Sequence, residues 1–150
     1  MHSTDDDRCA LAERGPAAAT IEQRLREVGI TPTRQRLVIA QVMLSRPQHL
    51  SADQLQEAVV RAGHEGVSKA TIYNTLGLFS QVGLVREVIV DPNRVFYDSN
   101  VAEHHHLYHM DSGVLVDIRP DQVEVRCQPE LSQQWDVAGI DVIVRVRSRG

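Results

Sequence analysis

The sequence predicts an α+β protein, an N-terminal winged helix-turn-helix followed by a small α/β dimerisation domain. Three observations carry that prediction. Up to residue 83, apolar residues recur at helical spacing in four runs, punctuated by Gly29, Pro47, Gly63 and Gly83. At Leu84 the period becomes that of strands, and Asp91-Pro92-Asn93 is a strong turn between two of them. Beyond Asn100, short strand patterns restart and run to a final alternation of Val142, Val144 and Val146 with Asp141, Ile143, Arg145 and Arg147.

Taken in order, residues 1–16 are polar, end in Gly15-Pro16 and read as a mobile tail. Residues 17–28 form a first helix, stopped at Gly29. A second begins at Thr31-Pro32-Thr33, where a hydroxyl N-cap and a proline in the first turn are favourable. It carries Leu37, Val38, Ile39, Val42, Met43 and Leu44, apolar on most sides, so it is central. The third has a full start signal: Ser51-Ala52-Asp53-Gln54 is a capping box, with Leu50 and Leu55 as its hydrophobic staple. A fourth starts at Ser68 with Ile72, Leu76, Phe79 and Val82 on one stripe and Lys69, Thr71, Tyr73, Asn74 and Gln81 opposite. The wing hairpin is 84–90 and 94–98, so residues 17–98 are expected to be the DNA-binding domain. Residues 99–150 hold strands at 104–110, 114–118 and 137–147, with a short helix allowed after Pro129. A half this small needs a metal or a partner subunit for stability, which points to a homodimer.

Composition narrows the function classes. The chain has 150 residues, 42% of them hydrophobic, with no apolar run near the roughly 20 residues that cross a bilayer. Asp5, Asp6 and Asp7 stand where a signal peptide carries positive charge, so a cytoplasmic protein with no membrane partner is expected. Cys9 and Cys127 make neither a disulfide framework nor a metal-binding pair. The net charge of −4 is unevenly spread: residues 20–82 carry +2 and residues 83–150 carry −4. A mildly basic front half fits a local nucleic-acid surface.

Two groups of residues carry chemistry. His104, His105 and His106 lie in a strand pattern, so His104 and His106 share a face on which they can chelate one ion or face a haem iron, while His105 points away with Glu103. No general base or nucleophile accompanies them, so an enzyme is not expected. The second group opens the fourth helix, which in a helix-turn-helix lies in the major groove. Ser68 and Lys69 can hold phosphate at its N-terminus, with Thr71 beside them on the polar face. Asn74 can read adenine and the Tyr73 ring a thymine methyl group. Arg34 and Arg36, opening the second helix, can grip phosphates. The partner is then double-stranded DNA.

The motifs Thr31-Pro32-Thr33-Arg34-Gln35-Arg36, Leu50-Ser51-Ala52-Asp53 and Ala70-Thr71-Ile72-Tyr73-Asn74-Thr75-Leu76, with the histidine strand, occur in an order and spacing that resembles the ferric uptake regulator family over residues 20–147. Tyr73-Asn74-Thr75-Leu76, Val95-Phe96-Tyr97-Asp98, the histidine run, Leu115-Val116-Asp117-Ile118 and the segment 139–147 look like its iron response regulator branch. The resemblance implies a homodimeric transcriptional regulator acting on an AT-rich palindromic operator. It implies a hinge metal site whose ligands fall on His49, Asp98, His104, His106 and Asp117, for Fe(II), with Mn(II) or Zn(II) possible there. The branch implies haem sensing by the histidine run, His104, His105 and His106. Departures from the family pattern are specific. His109 and Ser112 stand where the first cysteine pair of a structural zinc site falls, so a four-cysteine zinc is excluded. The second family metal site keeps only Glu103 and His105, with Ile140 in the expected histidine position. Asn74 replaces an arginine that favours guanine, which implies a different operator. Cys9 is followed by Ala10 rather than proline, against an N-terminal haem motif. Peroxide sensing and zinc or manganese sensing are the alternatives within the family.

Overall fold

Helix boundaries follow local chemistry closely. A computed structural model describes residues 18–150; the expected tail, with Cys9, lies outside the described residues. Helices α1 (Ala18–Glu27), α2 (Arg34–Met43), α3 (Ala52–Arg61) and α4 (Lys69–Gln81) precede the wing. Thr33, Ser51 and Ser68 cap the last three: each hydroxyl accepts the backbone N–H three residues on. At α3 the box is complete, because the Gln54 side chain also accepts the Ser51 N–H at 2.9 Å. Helices α1, α3 and α4 end alike. Gly29, Gly63 and Gly83 adopt positive φ, which lets the next residue's N–H reach back to the carbonyl of Leu25, Val59 or Phe79. Their apolar stripes meet in one core built on Ile21, Leu25, Ile39, Met43, Leu55, Val59, Ile72, Leu76 and Phe79.

The chain then forms two three-stranded sheets. The first has β1 (His49–Leu50), β2 (Arg86–Asp91) and β3 (Arg94–Asp98) in the order β1-β3-β2, all antiparallel. The hairpin is the expected wing, with an irregularity between Ile89 and Asp91. β1 was not expected, because two residues have no periodicity to detect. It places His49 opposite Asp98. The second sheet has β4 (His105–His109), β5 (Val114–Ile118) and, after the short helix α5 (Pro129–Gln134), β6 (Ile143–Val146). Its order is β5-β4-β6, with β6 parallel to β4. Two boundaries depart from expectation: His104 precedes the strand rather than opening it, and the last strand is only four residues long. The α+β class holds. Among the described residues no helix is long and apolar enough to cross a membrane.

Alternation gives the second sheet two unlike faces. Leu107, Val116 and Val144 are register partners on one face, flanked by Val114 and Val146, and this face is open. On the other, Tyr108, Leu115 and Ile143 pack against Val88, Val90 and Phe96 of the wing. Arginines join the two sheets beside this cluster. Arg145 donates to the Val90 carbonyl through Nε at 3.1 Å and again through its guanidinium, and Arg86 pairs with Asp141 and donates to the Ala102 carbonyl.

Replacing Ser51 with Ala removes the α3 cap and leaves an N–H of its first turn without its partner. A loss of about 1 kcal/mol in unfolding free energy is expected by chemical denaturation.

Candidate metal centre

Asp98 ends β3 with its carboxylate 1% exposed, and a buried carboxylate needs partners. It has three. His104 Nε2 lies 2.8 Å and His106 Nε2 2.9 Å from Oδ2, while Oδ1 accepts the Asn100 N–H at 2.8 Å. Burial alone would raise the Asp98 carboxyl pKa; the hydrogen bonds from His106, the Asn100 N–H and His104 outweigh it and hold it below the ordinary value.

Asp117 completes the group from the other sheet. It is the register partner of His106 on β5, so the two side chains share a face. Its Oδ1 lies 3.3 Å from His104 Nε2, 3.4 Å from His106 Nε2 and 3.4 Å from His49 Nε2. The centre is therefore two cross-strand pairs, His49–Asp98 from the first sheet and His106–Asp117 from the second, facing each other with His104 between. Asp98, His104, His106 and Asp117 bring one donor atom each within 4.8 Å of one another. His49 joins through Asp117 and by its ring edge on His106, at a centroid distance of 5.7 Å.

The donor set fits a metal ion. Bonds of about 2.0–2.2 Å place neighbouring ligand atoms roughly 3.0–3.6 Å apart, and the histidine–carboxylate separations here, 2.8 to 3.4 Å, lie close to that spacing. The His104 ring is already aimed: its Nδ1 lies 2.7 Å from the Ala102 carbonyl, which only accepts, so the Nδ1 proton is fixed and Nε2 faces the centre. With acceptors at both nitrogens, His104 favours its charged form. Burial opposes that charge, but the Ala102 carbonyl and then the two carboxylates raise its pKa above the ordinary histidine value. An ion entering the centre would take the place of these shared protons.

The other expected ligands are placed differently. His105 faces away, as its alternation requires, and its Nδ1 accepts the Val142 N–H at 3.2 Å. A neutral imidazole accepting at Nδ1 carries its proton on Nε2 and has no second lone pair for a metal. Glu103 is exposed nearby, and the two make no metal cluster among the described residues. Tyr73 and Asn74 are exposed together on α4, and Asn74 lines a shallow groove with Thr33, Arg36 and Thr71. Arg34 is exposed, whereas Arg36 donates to the Thr31 carbonyl at 3.0 Å. The Ser68 hydroxyl is engaged as the α4 cap and bonds the Thr71 hydroxyl at 2.9 Å. Lys69 is paired with Asp53 at 2.8 Å. The sequence reading missed the orienting Ala102 carbonyl, the Asn100 N–H and the Asp53 partner. The first two are backbone groups without a side-chain signature, and Asp53 stood only as part of a capping box.

Comparison with known proteins identifies relatives in sequence and in fold. A peroxide-responsive repressor of Staphylococcus aureus is 32% identical over 99 residues, and the match spans 66% of this chain and 66% of that protein. The ferric uptake regulator of Pseudomonas aeruginosa, solved with manganese, is 26% identical, with a TM-score of 0.69 over 86% of this chain and 98% of that one. The Vibrio cholerae ferric uptake regulator has the same fold, with a TM-score of 0.68 at 24% identity over 85% of this chain and 98% of that one. Residues 27–146 match the ferric uptake regulator family, whose members are transcriptional regulators and not enzymes. The chain belongs to the ferric uptake regulator family.

Proposed function

We propose that the protein is a metal-responsive, DNA-binding transcription regulator whose hinge centre of His49, Asp98, His104, His106 and Asp117 governs DNA affinity. One observation carries the reading: a cross-strand pair from each of two sheets converges on one point. Residues 17–98 then form the DNA-binding domain and residues 99–150 the sensing and dimerisation domain. The open face of Leu107, Val114, Val116, Val144 and Val146 supports self-association. The DNA surface is Tyr73 and Asn74 on α4, with Arg34, Arg36, Ser68, Lys69 and Thr71 around them.

The five donors, three imidazoles and two carboxylates, suit Fe(II), Mn(II) or Zn(II). When shared by all five, the ion supplies two positive charges against one buried carboxylate, Asp98, and one exposed carboxylate, Asp117. His49 and Asp98 move with the wing; His106 and Asp117 move with the sheet that dimerises. Holding both pairs at one separation fixes the angle between wing and sheet, and so the spacing of two recognition helices in a dimer. Haem at the histidine run, implied by the resemblance to the iron response regulator branch, is the weaker reading. Porphyrin nitrogens occupy four positions of a haem iron, leaving two, whereas here four or five donors crowd one point. A peroxide-sensing reading draws support from the names of the Staphylococcus aureus relatives.

Replacing His104 and His106 together with Ala is expected to lower Mn(II) affinity by at least a hundredfold in calorimetric titration and to remove the metal's effect on DNA binding. Unchanged titration sinks the site. Asn74→Ala is expected to cost about 1–3 kcal/mol on the preferred duplex and to relax discrimination at one base; uniform loss on all sequences would assign Asn74 to phosphate. Fe(II)-loaded protein treated with peroxide separates the second reading: one added oxygen on His49 or His104 by mass spectrometry supports peroxide sensing, and unmodified ligands exclude it.

A further inference from the structure

Lys69 is the only lysine of the chain; every other permanently cationic side chain is arginine. It opens α4, where a cation opposes the helix dipole, and no acidic residue lies in that first turn to offset it. Its partner comes from another helix. Asp53, in the first turn of α3, places Oδ1 2.8 Å from Lys69 Nζ, with both side chains more than half exposed. Asp53 suits the α3 dipole, so of the two it is Lys69 that stands against local preference. An exposed pair of this kind adds little to stability, and the fold does not explain a cation held there.

The location does. Asp53 and Tyr73 line a cleft of about 430 Å³ together with Asn93 and Arg94 of the wing, so the carboxylate sits between the recognition helix and the wing. That surface meets DNA in the reading above. A carboxylate there repels phosphate, and it also occupies the charge nearest the helix N-terminus. The hydrogen bond and the charge of Asp53 raise the Lys69 pKa, so the ammonium is kept charged yet neutralised.

We propose that Asp53 is an affinity-setting residue for DNA. It holds Lys69 in an internal ion pair that a duplex phosphate must displace, and so suppresses sequence-independent binding. The proposal rests on the DNA-binding reading. An unpaired lysine gains a phosphate contact and releases a counterion from the duplex; a lysine already paired exchanges one anion for another and gains little. Lysine suits the exchange better than arginine, because its ammonium is a compact charge on a flexible stem without a fixed fork to satisfy.

The test measures binding to a short duplex of random sequence across a salt series for the wild type, Asp53→Asn, Lys69→Gln and the double variant, each checked for an unchanged thermal melt. Asp53→Asn is expected to bind several-fold tighter, with the slope of log K against log salt steeper by about 0.9. In the Lys69→Gln background the same change is expected to give little gain. Equal gains in both backgrounds overturn the proposal, since Asp53 would then act by its own field alone; unchanged affinity and slope also overturn it. The single lysine allows a second readout. Acylation by an amine-reactive ester, followed at the Lys69 peptide by mass spectrometry, is expected to be faster in Asp53→Asn, and an unchanged rate counts against the pair in solution. If no variant binds duplex DNA at any salt, the DNA-binding reading fails and this proposal falls with it. Binding by the wild type with Asp53→Asn unchanged overturns the proposal alone.

Discussion

A carboxylate with almost no contact with water must find its charge balance inside the protein, and Asp98 sets this requirement for the whole molecule. The Asn100 N–H that it accepts turns the chain immediately after the wing, and His104 and His106 deliver the next strand to it. One side chain therefore links the end of the first sheet, the turn after it and the inward face of the second sheet. A residue that so constrains backbone geometry is also the most buried donor of the candidate centre. Under the proposed function, structure and sensing draw on the same charge.

The wing is not held by that centre alone. Phe96, Val88 and Val90 on one side and Tyr108, Leu115 and Ile143 on the other form a small dry cluster, with the Arg145 guanidinium on the Val90 carbonyl at its edge. Arg86 bridges to Asp141 from the neighbouring strand position. These contacts keep wing and sheet near their docked arrangement before any ion arrives, so the ligands need only small adjustments to converge. Under the proposed function, ion binding in such a frame sharpens an angle that packing has already approximated, which suits a graded response over a small coupling energy.

How much of this was legible in the sequence depends on the range of the interaction. Ser51 and Gln54, the helix start at Ser68 and the three glycines after the helices act within a few residues, and these predicted boundaries match the structure. The wing hairpin was equally plain, because Asp91-Pro92-Asn93 marks it locally. Strand β1 was not, since its two residues are a strand only through pairing with β3. Parallel pairing of β6 with β4 leaves no mark on either segment. At the centre, alternation separated His105 from His104 and His106, but the identification of His49, Asp98 and Asp117 as their companions came from the family resemblance and not from spacing. The hydrogen bond of His105 to the Val142 N–H, which ties up its lone pair, depends on a strand that lies 37 residues away.

That distance also bears on how the molecule comes to exist. The helices pack largely on neighbours in sequence, but β1 reaches β3 across three elements, His49 meeting Asp98. β4 likewise completes its pairing only with β6, its register partner His106 meeting Ile143. The His49–Asp98 pair therefore closes a long stretch of chain, whereas the His106–Asp117 pair is closed by the short turn between β4 and β5. The candidate centre thus joins a pair of long contact range to one of short range, and the larger loop-closure entropy falls on the His49–Asp98 side.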